Sequence, residues 1–361
     1  MVFSLQSSQE DENRDIADIR SMTIEELTDI ILSLGEKKFR AAQIYDWLHK
    51  KGVQSWDDMK NVPSSLKMSL MRQCKIASVT PVQVLVSAVD GTRKYLMELH
   101  DHNIIECVLL RYDYGNSICI SSQVGCRMGC SFCASTIDGL VRNLTPGEML
   151  GQIYAVAHDI GERIGHIVIM GSGEPLDNYD AFLRFIEMVT DEKGICIGAR
   201  NITASTCGIV PKIMSLADEK LQITLALSLH AVSDEKRRSL MPVARSYSLD
   251  EVLNACTYYF EKTGRRITCE YSLIAGKNDT DEDAAGLVRI AERIGCHINL
   301  IPVNPIEERD YRQTAPARVL AFKNKLEKYH INVTIRREMG RDIQGACGQL
   351  RRSYLVNSPK T

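Results

Sequence analysis

The sequence predicts an α/β fold: a parallel sheet wrapped by helices, preceded by a small helical domain and a short antiparallel β segment. Three observations predict it. From about residue 116 the chain repeats strand, loop and helix six times. Before residue 76, apolar residues recur at helical spacing between clear start and stop signals. A dense cysteine cluster directly follows the first strand of the repeating part, at the strand end where such sheets place their ligands.

Residues 1–20 are polar and acid-rich and read as a loose tail. Thr23 with Glu26 forms a capping box, and Leu27, Ile30, Ile31 and Leu34 continue as one apolar stripe. Gly35 ends that helix. A second helix is expected from about Arg40 to Lys51, with Ile44, Trp47 and Leu48 inward, and a third from Ser65 to Gln73. Lys37, Lys38, Arg40, His49, Lys50 and Lys51 cluster around the first two. They read either as a solvated basic face or as a grip on an RNA backbone.

From Val79 the pattern alternates. Two short runs flank Asp90-Gly91, a hairpin signal, and residues 104–110 read as a third strand. The parallel strands follow at Ser117–Ser121, His166–Met170, Asn201–Ala204, Gln222–Ser228, Arg266–Leu273 and Cys296–Val303. Helices lie between them, one opened by Thr145-Pro146-Gly147-Glu148, which joins a capping box to a proline at the first helical position. Others are expected near Ala181–Val189, Leu249–Lys262, Asp281–Ile294 and Ala315–Tyr329. Periodicity alone does not say whether the sheet closes.

With 361 residues and ordinary apolar content, the chain can bury one large core plus an appendage. No apolar run is long enough to span a bilayer and the N-terminus has no apolar signal core, so a cytoplasmic protein is expected. In a reducing compartment its twelve cysteines are better read as ligands, nucleophiles and core residues than as a disulfide framework. A net charge of −2 gives no global support for a nucleic-acid partner, so that case must rest on local patches.

Three constellations carry chemistry. Cys126, Cys130 and Cys133 have the spacing Cys-x-x-x-Cys-x-x-Cys, with Phe132 before the last. Three thiolates can grip three irons of a 4Fe–4S cube and leave the fourth open; a zinc site or a chance group of thiols is the plain alternative. Gly171-Ser172-Gly173-Glu174-Pro175 follows the second parallel strand, where glycines admit a ligand close to the backbone and a carboxylate can receive an ammonium group. Gly345-Ala346-Cys347-Gly348-Gln349 leaves a thiol unobstructed among arginines that can lower its pKa and attract phosphate.

The cysteine triplet resembles the signature of radical S-adenosylmethionine (SAM) enzymes. Ser121–Cys126, Gly173-Glu174-Pro175, Ser228-Leu229-His230, Asn299–Pro305 and Ala346–Leu350 occur in the order seen in the RlmN/Cfr family of RNA adenine methyltransferases. The similarity spans roughly Leu34 to Leu350. It implies an open (β/α)6 partial barrel over 112–345, a helical RNA-binding module at 21–76, a β extension at 77–111 and a C-terminal segment at 346–361 that carries the methyl-carrier cysteine.

The resemblance also implies roles. Cys126, Cys130 and Cys133 hold the 4Fe–4S cluster, and Gly173, Glu174, Ser205, Ser228, Leu229, His230 and Asn304 contact SAM. Cys347 takes a methyl group from one SAM. A deoxyadenosyl radical from a second SAM activates that methyl for addition to the ring, Glu106 is the proton acceptor, and Cys119 releases the product through a disulfide with Cys347. The implied product is C2-methyladenine in 23S rRNA and in tRNA beside the anticodon, with C8 methylation as the variant outcome. A flavodoxin or ferredoxin as electron donor, a monomer and no membrane partner complete the expectation. Cys207 stands where many relatives have serine and is assigned no role. A zinc-stabilised RNA-binding protein without catalysis is the rival from another class.

Overall fold

The computed structural model describes residues 16–304 and 309–343. Within them the chain opens with β1 (Ala17–Asp18), then α1 (Ile24–Ser33), α2 (Phe39–Tyr45) and α3 (Ser64–Met71), closed by β2 (Cys74–Lys75), which pairs in parallel with β1. Thr23 and Glu26 cap α1 reciprocally, as their spacing requires. The second helix is shorter than its pattern suggests, and residues 46–50 continue it as one π turn. That turn points His49 inward rather than onto the basic face. It is buried, and its Nδ1 lies 2.9 Å from the hydroxyl of Tyr154. Leu27, Ile31, Ile44, Leu48, Leu66 and Leu70 form a separate apolar core for this module. Arg20 ties it to the rest of the protein, donating to the carbonyls of Val53 and Ala77.

The next strands are β3 (Val79–Val86), β4 (Arg93–Leu99) and β5 (Ile104–Tyr112), paired antiparallel, then β6 (Gly115–Cys119). The cysteine motif itself folds into a hairpin of β7 (Gln123–Gly125) and β8 (Leu140–Asn143). Regular βα alternation follows: α4 (Pro146–Ile160), β9 (Ile164–Ile169), α5 (Tyr179–Thr190), β10 (Ile202–Thr206), α6 (Val210–Asp218) and β11 (Thr224–Ser228). Then come α7 (Asp234–Leu240), α8 (Leu249–Thr263), β12 (Thr268–Leu273), α9 (Asp281–Ile294), β13 (His297–Pro302), α10 (Pro316–Lys328) and β14 (Val333–Ile335).

The sheet order is β14-β13-β12-β11-β10-β9-β6-β5-β4-β3. β6 and β9 to β14 run parallel, and the two ends do not pair, so this is an open barrel. The antiparallel segment is not a separate linker sheet. β5 is nine residues long, enough to pair with β4 on one edge and β6 on the other, so both sheets become one. A short parallel strand, β14, extends the expected six.

Alternation along the strands separates two faces. Ile105, Cys107 and Leu109, then Ile118, Ile167, Ala204, Leu225, Cys269 and Ile298, pack under the helices in the main core. Several of their neighbours in sequence, Val108, Leu110, Cys119, Ser205 and Glu270, line the barrel interior.

Candidate active site

A cavity of about 540 Å³ opens at the carboxyl ends of the parallel strands. Cys126, Cys130 and Cys133 all line it, as do Cys119, Gly173, Glu174, Ser205, Ser228, His230 and Asn304. Residues predicted from scattered positions thus meet in one place. Cys347 and the rest of 344–361 lie outside the described residues, as do 305–308.

The cysteine loop is built by the β7–β8 hairpin. Gly125 has φ +75°, and the amide of Cys126 donates to the carbonyl of Gly139 at 2.9 Å. A Cβ on Gly125 would overlap that same oxygen, so no other residue fits there without moving the loop. Beneath it Ala231, Leu240, Met241, Ile274 and Val303 form a small apolar cluster with Cys130 and Cys207. Burial pushes the Cys126 thiol up to about 12, helped by Cys133, Glu174 and Asp177, and raises Cys130 and Cys133 as well. Iron charge would offset that penalty and favour the thiolates. Among the described residues no three His, Cys, Asp or Glu converge as a single ion requires. Three thiols around a shared cavity instead suit ligands to separate irons of one cluster.

Glu174 sits buried at the end of β9. One carboxylate oxygen accepts from the amide of Cys207 at 2.7 Å, the other from Leu176 at 3.2 Å. Burial raises its pKa while these backbone donors oppose the rise. An arriving ammonium group would act in the same direction as the donors. Gly173 has φ +107°, and an added Cβ would stand 2.6 Å from the Gln123 side chain and 2.7 Å from its amide nitrogen. The glycine therefore lets this backbone pack closely against the Ser122–Gln123 segment beside the cavity.

The Ser205 and Ser228 hydroxyls lie 3.2 Å apart on neighbouring strands. His230 has φ +53° and is buried, with its Nδ1 accepting from the amide of Ser272 at 3.0 Å. That bond requires an unprotonated Nδ1, so the neutral ring carries its proton on Nε2. Burial, with Arg237 nearby, lowers its pKa to about 3. Phe132 meets the ring edge-on at 4.8 Å. Leu229 differs from the others: its side chain belongs to the main core, so any contact with a ligand must come from its backbone.

Cys119 ends β6 and faces the interior, opposite Val108 of β5. Burial raises its thiol pKa, while Arg336 and Lys94 pull the other way. Glu106 lies on the same face of β5 as Val108, with its carboxylate 3.3 Å from the ammonium of Lys94. Both are buried, which removes Glu106 from the class of solvent-facing strand residues. Sequence reasoning passed over Lys94 and Glu270, took Arg336 only as one of the arginines flanking Cys347, and gave no role to Cys207, whose thiol lines the cavity. For Glu270 a signal exists: Thr268, Glu270 and Ser272 alternate with Cys269, Tyr271 and Leu273 in a strand covered on both sides.

Family comparisons agree with this geometry. Residues 120–291 match the radical SAM superfamily, and residues 17–76 match the ribosomal RNA large subunit methyltransferase N-terminal domain. A probable dual-specificity RNA methyltransferase RlmN of Lachnospira eligens is 56% identical over 94% of this chain and 97% of its own length. Its counterpart in Clostridium perfringens is 54% identical over 93% and 97%. A solved radical SAM methyltransferase from Sphaerobacter thermophilus matches with a TM-score of 0.88 at 40% identity, covering 92% of this chain and 98% of that one.

Proposed function

This chain belongs to the RlmN family within the radical SAM superfamily, and from that premise we propose that it methylates C2 of an adenine in 23S rRNA and of the adenine 3′ of the anticodon in tRNA. The observation that carries the reading is Cys119 at the end of β6, which with Cys207 makes two cysteines in the cavity wall besides Cys126, Cys130 and Cys133. A direct methyl transfer from SAM has no use for it. A reaction that ends by releasing a base from a protein sulfur does.

When bound, the 4Fe–4S cluster and SAM supply one electron and a 5′-deoxyadenosyl radical. Cys126, Cys130 and Cys133 would hold the irons, and Glu174 with the neighbouring backbone of Gly173 would receive the SAM amino group. Ser205, Ser228 and Asn304 border the same space, Leu229 would reach it only through its backbone, and His230 offers its Nε2 proton as a donor. Cys347 carries the methyl group to the ring carbon. Glu106, fixed by Lys94, accepts a proton, and Cys119 takes the sulfur of Cys347 into a disulfide as the base departs. The module at 21–76 and the arginines near Cys347 hold the RNA backbone. Flipping the base costs a few kcal/mol. A flavodoxin or ferredoxin supplies electrons to a monomeric, cytoplasmic enzyme. Among the described residues no helix is long and apolar enough to cross a membrane.

The test is anaerobic reconstitution with iron, sulfide, SAM and reductant, then incubation with rRNA and tRNA transcripts. Nucleoside digests separated by chromatography with mass detection should contain 2-methyladenosine. Dominance of the 8-methyl isomer would move the chain to the C8 branch, and absence of any methylated adenosine would reject the reading.

A further inference from the structure

Glu270 is a buried carboxylate in the cavity wall that the steps above do not use. It sits on β12, in register with Ser228 on one side and Asn299 on the other. Its Oε2 accepts from Asn299 Nδ2 at 2.8 Å. Asn299 Oδ1 in turn accepts from the Thr334 hydroxyl at 3.1 Å, and Thr334 lies 2.9 Å from His297 Nε2. The direction of this chain is fixed. Thr334 spends its one proton on Asn299, so it accepts from His297, and Asn299 turns its amino group to Glu270. Every bond points inward and ends on a carboxylate.

Among the described residues that carboxylate accepts no other hydrogen bond. Arg336 lines the same cavity and its charge acts on both Cys119 and Glu270, yet it forms no ion pair with Glu270 among the described residues. Arg336 and Glu270 therefore face the same cavity, which Cys119 also lines, without closing on each other. Glu270 lines the cavity and keeps lone pairs on which a ligand donor can replace water. Burial raises the Glu270 pKa, opposed by Arg336 and Asn299, so an added donor is favourable for the ionised form.

We propose that Glu270 reads the target base by accepting a hydrogen bond from the 6-amino group of adenine, held in place by the Asn299–Thr334–His297 chain. Guanine presents an oxygen at that position and is repelled. The inference rests on the RNA-methylating reading above and makes Glu270 a specificity-determining residue of that same cavity.

The experiment compares 23S rRNA fragments carrying adenosine, purine riboside (which lacks the amino group) or inosine at the target position. Wild type should prefer adenosine to purine riboside by about 10- to 100-fold in kcat/KM, the range for one hydrogen bond to a charged group. In Glu270→Gln that ratio should collapse towards one. Turnover of inosine should rise relative to adenosine, because a turned amide donates where the carboxylate accepted. A ratio unchanged in the variant, with or without a raised KM for SAM, overturns the inference. Should that variant fail to fold, Thr334→Val frees the Asn299 amide and should lower the same ratio; an unchanged ratio there also overturns it. If wild type methylates none of the RNAs, the functional reading itself fails, and this inference with it.

Discussion

The β7–β8 hairpin offers a matched pair of substitutions. Gly125 and Gly139 both have positive φ, +75° and +71°. Alanine at either position carries a backbone cost of about 1–2 kcal/mol. They differ in what the new methyl meets. At Gly139 nothing lies within 4 Å, whereas at Gly125 the methyl enters the carbonyl oxygen of Gly139. That oxygen accepts the amide proton of Cys126, so relief of the overlap also breaks a bond of about 1 kcal/mol. Overpacking adds about 1–3 kcal/mol more. Gly125→Ala should therefore cost about 2–4 kcal/mol beyond Gly139→Ala, or roughly 30- to 1,000-fold in the population of loops that present Cys126 correctly. Both variants are reconstituted anaerobically and assayed for iron per chain and for absorbance that bleaches with dithionite. Gly139→Ala should keep most of its cluster and Gly125→Ala should lose nearly all of it. Equal iron in the two would show that the carbonyl contact does not position Cys126.

Replacing Cys126, Cys130 or Cys133 with alanine should remove the cluster and all SAM cleavage; a triple variant that still binds iron as a cube defeats the ligand assignment. Cys347→Ala should keep the cluster but form neither methylcysteine nor product. Cys119→Ala should instead accumulate a covalent protein–RNA adduct on a denaturing gel, and free turnover without adduct counts against its role. Burial beside Arg20 lowers the pKa of His49 to about 3, so the folded protein holds it neutral while the unfolded chain protonates near 6.5. Its contribution is therefore complete above pH 6.5 and is lost as pH falls towards 3, by about 1.4 kcal/mol per unit. Urea midpoints measured from pH 7 to 5 should decline with a slope that His49→Gln flattens, and an unchanged slope would falsify this assignment.

Much of this was legible because local chemistry and tertiary need coincide. The capping boxes at Thr23 and Thr145 mark helix starts that the structure keeps. The strand-end position of the cysteine motif follows from the order of elements alone. What escaped has physical causes. The helix at Asp234–Leu240 is short and mostly charged, so no apolar period announces it. β14 is three residues long and draws its stability from pairing with β13, a contact 35 residues distant along the chain at Ile298 and Val333. His49 belongs to a basic run by sequence but to the interior by geometry, because one π turn rotates it towards Tyr154. The meeting of Lys94 with Glu106 depends on cross-strand register between β4 and β5, which no single stretch encodes.

The β3–β4 turn also grips the far end of the chain. Asp342 accepts from the Ser87 hydroxyl at 2.6 Å and the Ala88 amide at 2.9 Å, and Asp90 accepts from the Gly340 amide at 2.9 Å. These bonds join residues some 250 positions apart and act as a mooring. Cys347 lies five residues past Asp342, so its tether is at most about 18 Å long at full extension. Without the mooring the last firm backbone hold is the amide of Arg336 on Leu300, and the tether grows to eleven residues, or about 40 Å. The greatest distance at which the Cys347 sulfur can lie from its last hold on the fold therefore roughly doubles. A hairpin that looks like scaffold thus limits how far from the described fold the proposed methyl-carrying thiol can lie.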